Sequence, residues 1–81
     1  MDDTLEQGRV VRSLRGRDKG SLLAVMRVEG GRVYVCDGKE RPVDRPKAKN
    51  IRHIEPTAFT VTQEEMLANG RLRRALGRID G

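Results

Sequence analysis

Short apolar runs separated by Gly and Pro follow one another over the first two thirds of the chain, a pattern typical of short β-strands joined by turns. These runs and their Gly and Pro breaks predict short strands over residues 9–14, 22–29, 32–36, 41–43 and 50–55. Gly30-Gly31 is typical of a tight hairpin turn between the second and third strands. Pro42 lacks a backbone N–H, so the fourth strand is expected at an edge, followed by a loop over 44–47. We therefore expect a mainly-β fold that closes into a small barrel.

The second strand begins with an apolar run that does not alternate. Residues 22–26, LLAVM, place apolar side chains on both faces of the strand, and each face then needs cover. The barrel interior covers one face, and the C-terminal segment is the candidate cover for the other. The third strand does alternate, so Val33 and Val35 are expected to point inward, with Tyr34 and Cys36 outward.

The C-terminal segment 58–81 is expected to be a helical extension that packs on the barrel. Thr62 and Glu65 have the spacing of a capping box, and Asn69-Gly70 is expected to end a short helix, with Asn69 able to cap a second one. In that second helix three apolar residues share one face: Leu72, Leu76 and Ile79. The alternative is a free arm, whose arginines would form a second binding element: Arg71, Arg73, Arg74 and Arg78.

The positive charge is concentrated in the predicted barrel. The 81 residues have a net charge of +5. Residues 1–7, expected to be a flexible acidic N-terminus, carry −3, and residues 54–81 are neutral. Residues 8–53 hold thirteen Lys and Arg against five Asp and Glu, which is +8. This concentration is the electrostatic footprint of a protein that binds a polyanion, with plain solubility as the alternative interpretation.

The loop between the first two strands combines cations with glycines. Arg15, Arg17 and Lys19 lie around Gly16 and Gly20, and glycine allows the backbone to take positive φ in a tight turn. A compact, protruding, positive loop of this kind suits a phosphate group. Its spacing is not that of the P-loop of nucleotide-binding enzymes, because the lysine precedes the last glycine instead of following it.

The same segment resembles the KOW motif, which ribosomal proteins share with NusG-type transcription elongation factors. The resemblance is carried by Gly8, Val11, Leu14, Gly16, Asp18-Lys19-Gly20 and Val25. It continues downstream through Val33–Gly38, Val43, Arg45 and Ile51–Thr57, so that it covers roughly residues 8–57. In this fuller form the chain is similar to the KOW-bearing large-subunit ribosomal proteins of archaea and eukaryotes and to small bacterial RNA-binding relatives. The resemblance implies an SH3-like barrel over 8–57, whereas the strand pattern alone does not separate it from an OB-fold.

We expect the basic residues of the barrel loops to bind RNA, with ribosomal RNA as the leading partner. The predicted RNA-binding residues are Arg15, Arg17, Lys19, Lys39, Arg41, Arg45, Lys47, Lys49, Arg52 and His53. The predicted structural turn residues are Gly16, Gly20 and Gly38. Asp18 is expected to be a turn residue that bonds its own backbone.

The scarcity of aromatic residues argues against a protein that stacks single-stranded bases. Tyr34 and Phe59 are the aromatic side chains of the chain, so recognition of the backbone and shape of structured RNA fits better. The choice of RNA over DNA rests mainly on the resemblance. The alternative function is a protein-interaction module of the NusG type, which would bind a ribosomal or transcription protein through an apolar patch near Tyr34 and Met26.

Other classes of function find little support in the sequence. His53 is the single histidine, no nucleophile stands at a catalytic spacing, and no paired carboxylates occur, so we do not expect an enzyme. Cys36 is the single cysteine, which excludes an intramolecular disulfide and a zinc cluster. No apolar run has the length of a membrane span or the form of a leader. We expect a cytoplasmic monomer without metal or cofactor.

Overall fold

A five-stranded antiparallel sheet and one C-terminal helix account for most of the chain. The computed structural model describes residues 5–80. Its strands are β1 (Arg9–Ser13), β2 (Leu22–Glu29), β3 (Arg32–Cys36), β4 (Lys47–Asn50) and β5 (Ile54–Thr60). The helix α1 spans Asn69–Asp80, and two 3-10 turns lie at Ile51–His53 and Glu65–Leu67. The predicted mainly-β class with a C-terminal helix is therefore confirmed.

The first three strands form an antiparallel meander. β2 and β3 have the predicted bounds, and Glu29 pairs with Arg32 across the Gly30-Gly31 turn. β1 ends at Ser13, one residue earlier than expected. β2 pairs with β1 on its other side, in a register that places Val11 opposite Leu23.

The second half of the sheet differs from the prediction. Residues 41–43 form no strand, because the segment 37–46 is a loop organised by Asp37, and residue 47 begins β4 rather than ending a loop. The expected closing strand at 50–55 is divided by the 3-10 turn Ile51–His53 between β4 and β5. Asn50 favours that turn because its side-chain oxygen accepts a hydrogen bond of 2.8 Å from the backbone N–H of Arg52. β5 carries Pro56 and is an edge strand, where a missing N–H is tolerated.

The sheet is strongly curled, although its edges are not joined by hydrogen bonds. Its strand order is β4-β3-β2-β1-β5, so the two edge strands are consecutive in the chain. In a flat sheet the edges would lie roughly 19 Å apart, which is four strand spacings of about 4.8 Å. The chain from Asn50 to Ile54 can span at most about 14 Å. The short connection therefore requires the edges to bend toward each other.

Curling gives the sheet an inner and an outer face, and both are apolar. The inner cluster consists of Val11, Leu23, Val25, Val33, Val35 and Ile54. The outer cluster consists of Val10, Leu22, Ala24, Cys36, Val61, Met66, Leu72, Ala75 and Leu76. Successive residues of β2 alternate between the two clusters, which explains why its apolar run does not alternate with polar residues. Val33 and Val35 face inward and Cys36 lies on the opposite face, both as predicted, and there Cys36 is buried beneath the helix.

The helix α1 covers the outer face of the sheet. Its buried residues are Leu72, Ala75 and Leu76, with Ile79 partly buried beside them. Before it, Thr62 and Glu65 form the expected reciprocal capping box: the Thr62 N–H donates to the Glu65 carboxylate at 2.9 Å, and the Glu65 N–H donates to the Thr62 hydroxyl at 3.1 Å.

Two contacts attach the start of α1 to the loop 37–46. The side-chain oxygen of Asn69 accepts a hydrogen bond of 2.8 Å from the Val43 N–H. Asn69 therefore begins the helix and binds the loop, and the prediction that it caps the helix is wrong. At Gly38, an added Cβ would collide with the Asn69 carbonyl and lie 3.1 Å from the Arg73 nitrogen, so only glycine permits this approach.

The predicted flexible N-terminus falls partly on residues 1–4, which lie outside the described residues. The described part of that segment is not detached, because Leu5 packs against the inner cluster. Within residues 5–80, no helix is long and apolar enough to cross a membrane.

Truncation of Leu72 tests the contribution of the helix to the core. Leu72 is 0% exposed, so we expect Leu72→Ala to lower the free energy of unfolding by about 2–5 kcal/mol, through lost burial and the cavity left behind. Leu67 is the matched control, since it is 71% exposed and Leu67→Ala should change stability by less than about 0.5 kcal/mol. Denaturant unfolding of the three proteins measures both values. Equal effects of the two substitutions would show that α1 contributes no more to stability than a surface residue.

Candidate nucleic-acid interface

The sheet brings two basic loops together at one end. The loop 14–21 leaves β1 and enters β2, and the loop 37–46 leaves β3 and enters β4. Because these strands are antiparallel, with Ala24 opposite Cys36, both loops lie at the same end of the sheet. We call this end the loop surface.

A polar groove on the loop surface is lined by cations from both loops. It has a volume of about 180 Å³ and is lined by Arg17, Asp18, Ser21, Asp37, Lys39, Glu40 and Arg41. Three cations thus face the groove together with three acidic residues. Two of the three acids are engaged in fixing the loops.

Asp37 organises the second loop. One of its carboxylate oxygens accepts hydrogen bonds from the backbone N–H groups of Lys39, at 2.8 Å, and Arg41, at 2.9 Å. The Arg41 carbonyl in turn accepts from the N–H groups of Asp37 and Gly38. These hydrogen bonds close the turn and fix the backbone of Lys39 and Arg41. The Asp37 carboxylate is occupied by N–H groups of its own loop.

Asp18 and Lys49 fix the first loop from within the sheet. Lys49 lies on β4, and its Nζ is 3.1 Å from the Asp18 carboxylate and 3.0 Å from the Arg15 carbonyl. The same Asp18 oxygen accepts a hydrogen bond of 2.8 Å from the Ser13 hydroxyl. The two charged side chains are only 8% and 10% exposed. We refer to Ser13, Asp18 and Lys49 as the loop clamp.

The clamp keeps Asp18 ionised. Partial burial by itself raises the pKa of Asp18, but the hydrogen bonds from Ser13 and Lys49 and the positive charge of Lys49 outweigh it, so the pKa lies below its ordinary value of 3.8. The negative charge of Asp18 is consequently compensated by Lys49 before any ligand approaches. Asp18 thus bonds side chains from outside its own turn, beyond the local role that its position suggested.

The predicted RNA-binding residues are distributed unevenly. Arg17, Lys39 and Arg41 line the groove, and the side chains of Arg15 and Lys19 are exposed on the first loop beside it. Arg45, Lys47 and Arg52 are exposed, while His53 is half-buried, but none of these four lines the groove. Lys49 differs from the rest, because its charge is buried in the clamp, where it positions the loop.

All three predicted turn glycines adopt a left-handed backbone. The φ angles are +91° for Gly16, +89° for Gly20 and +78° for Gly38. Gly20 closes the first loop, since its N–H donates to the Ser13 carbonyl at 2.8 Å. No atom lies within 4 Å of a Cβ built on Gly20, so its requirement for glycine comes from backbone conformation alone.

Two further arginines approach the loop surface from positions that the loop pattern did not indicate. Arg12, on β1, donates to the Gly20 carbonyl and lies 3.7 Å from the Asp80 carboxylate. Arg73, on α1, lines a second groove together with Lys39. In the sequence, Arg73 belongs only to the alternative of a free C-terminal arm. Arg73 directly follows Leu72, which belongs to the apolar face of the helix. This neighbouring position is the sequence signal that could have placed Arg73 at the edge of the face that packs on the sheet.

The apolar patch expected near Tyr34 and Met26 is largely covered. Met26 is partly buried against the outer cluster, and the Arg27 guanidinium lies 4.0 Å from the centre of the Tyr34 ring. Phe59, on β5, is 52% exposed. Val28, two residues beyond Met26 on β2, is 41% exposed and is the open apolar side chain near the predicted position.

The groups typical of catalysis or metal binding are not assembled in the described part of the chain. Burial raises the pKa of the Cys36 thiol to about 12, with the negative charge of Asp37 adding to the effect, so the thiol stays protonated at neutral pH. Within residues 5–80 no group of three or more His, Cys, Asp and Glu side chains could hold a metal ion.

Comparison with protein-family models finds no match to this chain. Comparison with curated proteins likewise finds no significant match.

Substitution of Gly20 isolates the backbone requirement of the first loop. We expect Gly20→Ala to lower the free energy of unfolding by about 1–3 kcal/mol, because alanine is strained at positive φ. Gly77 is the matched control, since a Cβ there also meets nothing within 4 Å but the residue is helical. Gly77→Ala should raise stability by about 0.5–1 kcal/mol through helix propensity. Denaturant unfolding gives both values, and a destabilising Gly77→Ala or a neutral Gly20→Ala would contradict this account.

The loop clamp predicts a pH-dependent effect of Asp18→Asn. At neutral pH we expect this change to cost about 1.5–3 kcal/mol of stability, the usual value for hydrogen bonds to a charged group. Since the pKa of Asp18 is lowered on folding, its contribution is present above 3.8 and is lost as the pH falls through the folded-state value. The stability difference between wild type and Asp18→Asn should therefore shrink in acid.

Unfolding by denaturant at neutral pH and again well below pH 3.8 measures that difference. Asp44→Asn is the control, because it removes one negative charge from an exposed position in the loop 37–46. A difference for Asp18→Asn that is the same at both pH values, or no larger than that for Asp44→Asn, would show that the clamp does not depend on the carboxylate charge.

Proposed function

We propose that the protein is a non-catalytic RNA-binding protein that docks on structured RNA through the loop surface. The observation that carries the proposal is the groove in which Arg17 meets Lys39 and Arg41. These cations come from two loops that are distant in sequence, and the fold places them on one surface. A phosphate backbone is the polyanion that such a surface suits.

The internal bonding of the acidic residues supports this proposal. Asp18 is compensated by Lys49, and Asp37 accepts backbone N–H groups of its own loop. Arg15, Arg17 and Lys19 are exposed, and no ion pair engages them among the described residues. The acidic residues of the loops therefore neutralise only part of the positive charge of the loop surface. The free arginines can each bind a phosphate through two N–H donors.

The placement of the aromatic side chains favours structured RNA over single strands. The Tyr34 ring already stacks with Arg27. Phe59 is then the other aromatic ring of the chain on which an RNA base could stack. Contacts to phosphates and to the shape of a folded RNA require no exposed rings.

The resemblance to KOW proteins supplies the choice of RNA and of fold type. We propose that the curled sheet is an SH3-like barrel of the KOW type and that the protein acts in the cytoplasm on ribosomal RNA. The consecutive edge strands β4 and β5, linked by one 3-10 turn, are compatible with such a barrel. Gly20 lies where the motif has its most characteristic glycine, and its positive φ agrees with that role.

Removal of the three cations of the first loop tests the proposed function. We expect the triple variant Arg15→Ala, Arg17→Ala, Lys19→Ala to bind a fluorescein-labelled RNA hairpin roughly a hundredfold more weakly near 0.1 M salt, if each cation holds one phosphate. The slope of log affinity against log salt should then fall by roughly 2 to 3. Fluorescence anisotropy over a series of KCl concentrations measures both quantities.

A control variant removes the same charge elsewhere. The control residues are exposed and lie outside both grooves of the loop surface: Arg32, Arg71 and Arg74. Their triple alanine variant also loses three positive charges, so its net charge equals that of the loop variant. We expect it to keep most of the affinity and of the salt slope. Equal losses in the two triple variants would indicate unspecific attraction, and an unchanged affinity in a folded loop variant would refute the role of the loop.

The same titration separates RNA binding from the alternative function. A KOW module that binds a protein through an apolar surface would show weak RNA binding in wild type and no dependence on the loop cations. A ribosomal particle that retains the protein at high salt, but loses it when Tyr34 and Met26 are changed to alanine, would favour that alternative.

A further inference from the structure

A second groove adjoins the first on the loop surface and is completed by the helix. It has a volume of about 160 Å³. Lys39 and Asp37 line it from the loop 37–46, and Arg73 and Asp80 line it from α1. Ser21, Asp37 and Lys39 also line the first groove, so the two grooves adjoin along these shared residues.

Resting on the proposed function, we propose that the RNA site continues onto α1. In this proposal Arg17 and Arg41 hold one phosphate in the first groove, and Arg73 holds a neighbouring phosphate of the same strand in the second. Each groove is smaller than the roughly 300–1,000 Å³ of a pocket that encloses a small ligand, so each suits a phosphodiester group rather than an enclosed base. Lys39 lines both grooves and contributes to both positions.

Arg73 is distinguished from the other arginines of the helix by its surroundings. Arg78 donates to Glu65 at 3.0 Å. Arg71 and Arg74 line a separate groove on the far side, together with Glu64 and Glu65. Among the described residues, no ion pair or side-chain hydrogen bond engages Arg73. Its charge is therefore available to a ligand of the second groove.

The fold holds Arg73 in a fixed position relative to the loops. Gly38 approaches the backbone of Asn69 and Arg73 so closely that a Cβ would lie 3.1 Å from the Arg73 nitrogen. The Asn69 side chain accepts a hydrogen bond from Val43. The start of α1 and the loop 37–46 are thus joined at two points, and a site whose parts are already in place loses less entropy when RNA binds.

The negative charge of Asp80 would repel a phosphate in the second groove, which Asp80 lines. Its carboxylate lies 3.7 Å from the Arg12 guanidinium, and the two side chains are 60% and 41% exposed. An ion pair so exposed is weak, so a phosphate can replace Asp80 as the partner of Arg12. Removal of the Asp80 charge is therefore expected to strengthen RNA binding, the opposite of the effect at Arg73.

Two substitutions of opposite sign test this inference in the 81-residue chain with the labelled RNA hairpin. We expect Arg73→Ala to weaken binding roughly five- to tenfold near 0.1 M salt and to lower the salt slope by roughly 0.7–0.9. We expect Asp80→Asn to tighten binding roughly two- to fivefold. The matched controls are Arg74→Ala and Glu64→Gln, which make the same charge changes on the far groove and should alter affinity less than twofold.

The outcomes separate this inference from the proposed function. If the loop triple variant loses affinity while Arg73→Ala behaves like Arg74→Ala, and Asp80→Asn like Glu64→Gln, the extension onto α1 is overturned and RNA binding by the loops stands. If the loop triple variant binds as wild type does, the proposed function itself falls. Thermal unfolding of each variant shows whether a loss of affinity reflects loss of fold, and a folded Arg73→Ala with unchanged affinity overturns the inference.

Discussion

The absence of a polar face in the first half of β2 is the constraint on which this structure depends. Leu22 and Ala24 point to one side of the strand, while Leu23 and Val25 point to the other. A sheet strand that is apolar on both sides must be covered on both. In this chain the sheet curls around one side and the helix α1 packs against the other. In a chain of 81 residues, in which any core is small, neither cover can be lost without a large share of the stability.

The curled sheet and the helix α1, which cover the two faces of β2, also bring the residues of the candidate site together. The curl lets Lys49 of the edge strand reach Asp18 in the loop after β1, which fixes the first basic loop. The helix docks against Gly38, which places Arg73 beside Lys39. The positions of the first loop and of Arg73 are therefore consequences of packing. The exposed cations themselves are expected to contribute little to stability. This separation is why charge substitutions can test binding without unfolding the protein.

The elements that sequence reasoning predicted are those whose signal is local. β3 follows from its alternation, β2 from its apolar run, their hairpin from Gly30-Gly31, and the capping box from Thr62 and Glu65. β4 was missed because its sequence, KAKN, contains no apolar alternation, and its pairing with β3 is not visible in the local sequence. The burial of Lys49 depends on Asp18, 31 residues away in the chain, and the position of Arg73 depends on the docking of α1, so no local pattern indicates either. The basic loops were predictable, but which of their cations share a groove was not.

The most direct test of the central claim is a map of the RNA-binding surface at the level of single residues. In a titration of the ¹⁵N-labelled protein with an RNA hairpin, followed by amide chemical shifts, the account predicts that the largest changes fall in residues 14–21 and 37–46 and in the first half of α1. It also predicts that the amides of Gly30 and Gly31, at the opposite end of the sheet, stay close to their free positions. Shifts centred on the Gly30-Gly31 hairpin or on β5, with the two loops unchanged, would contradict it.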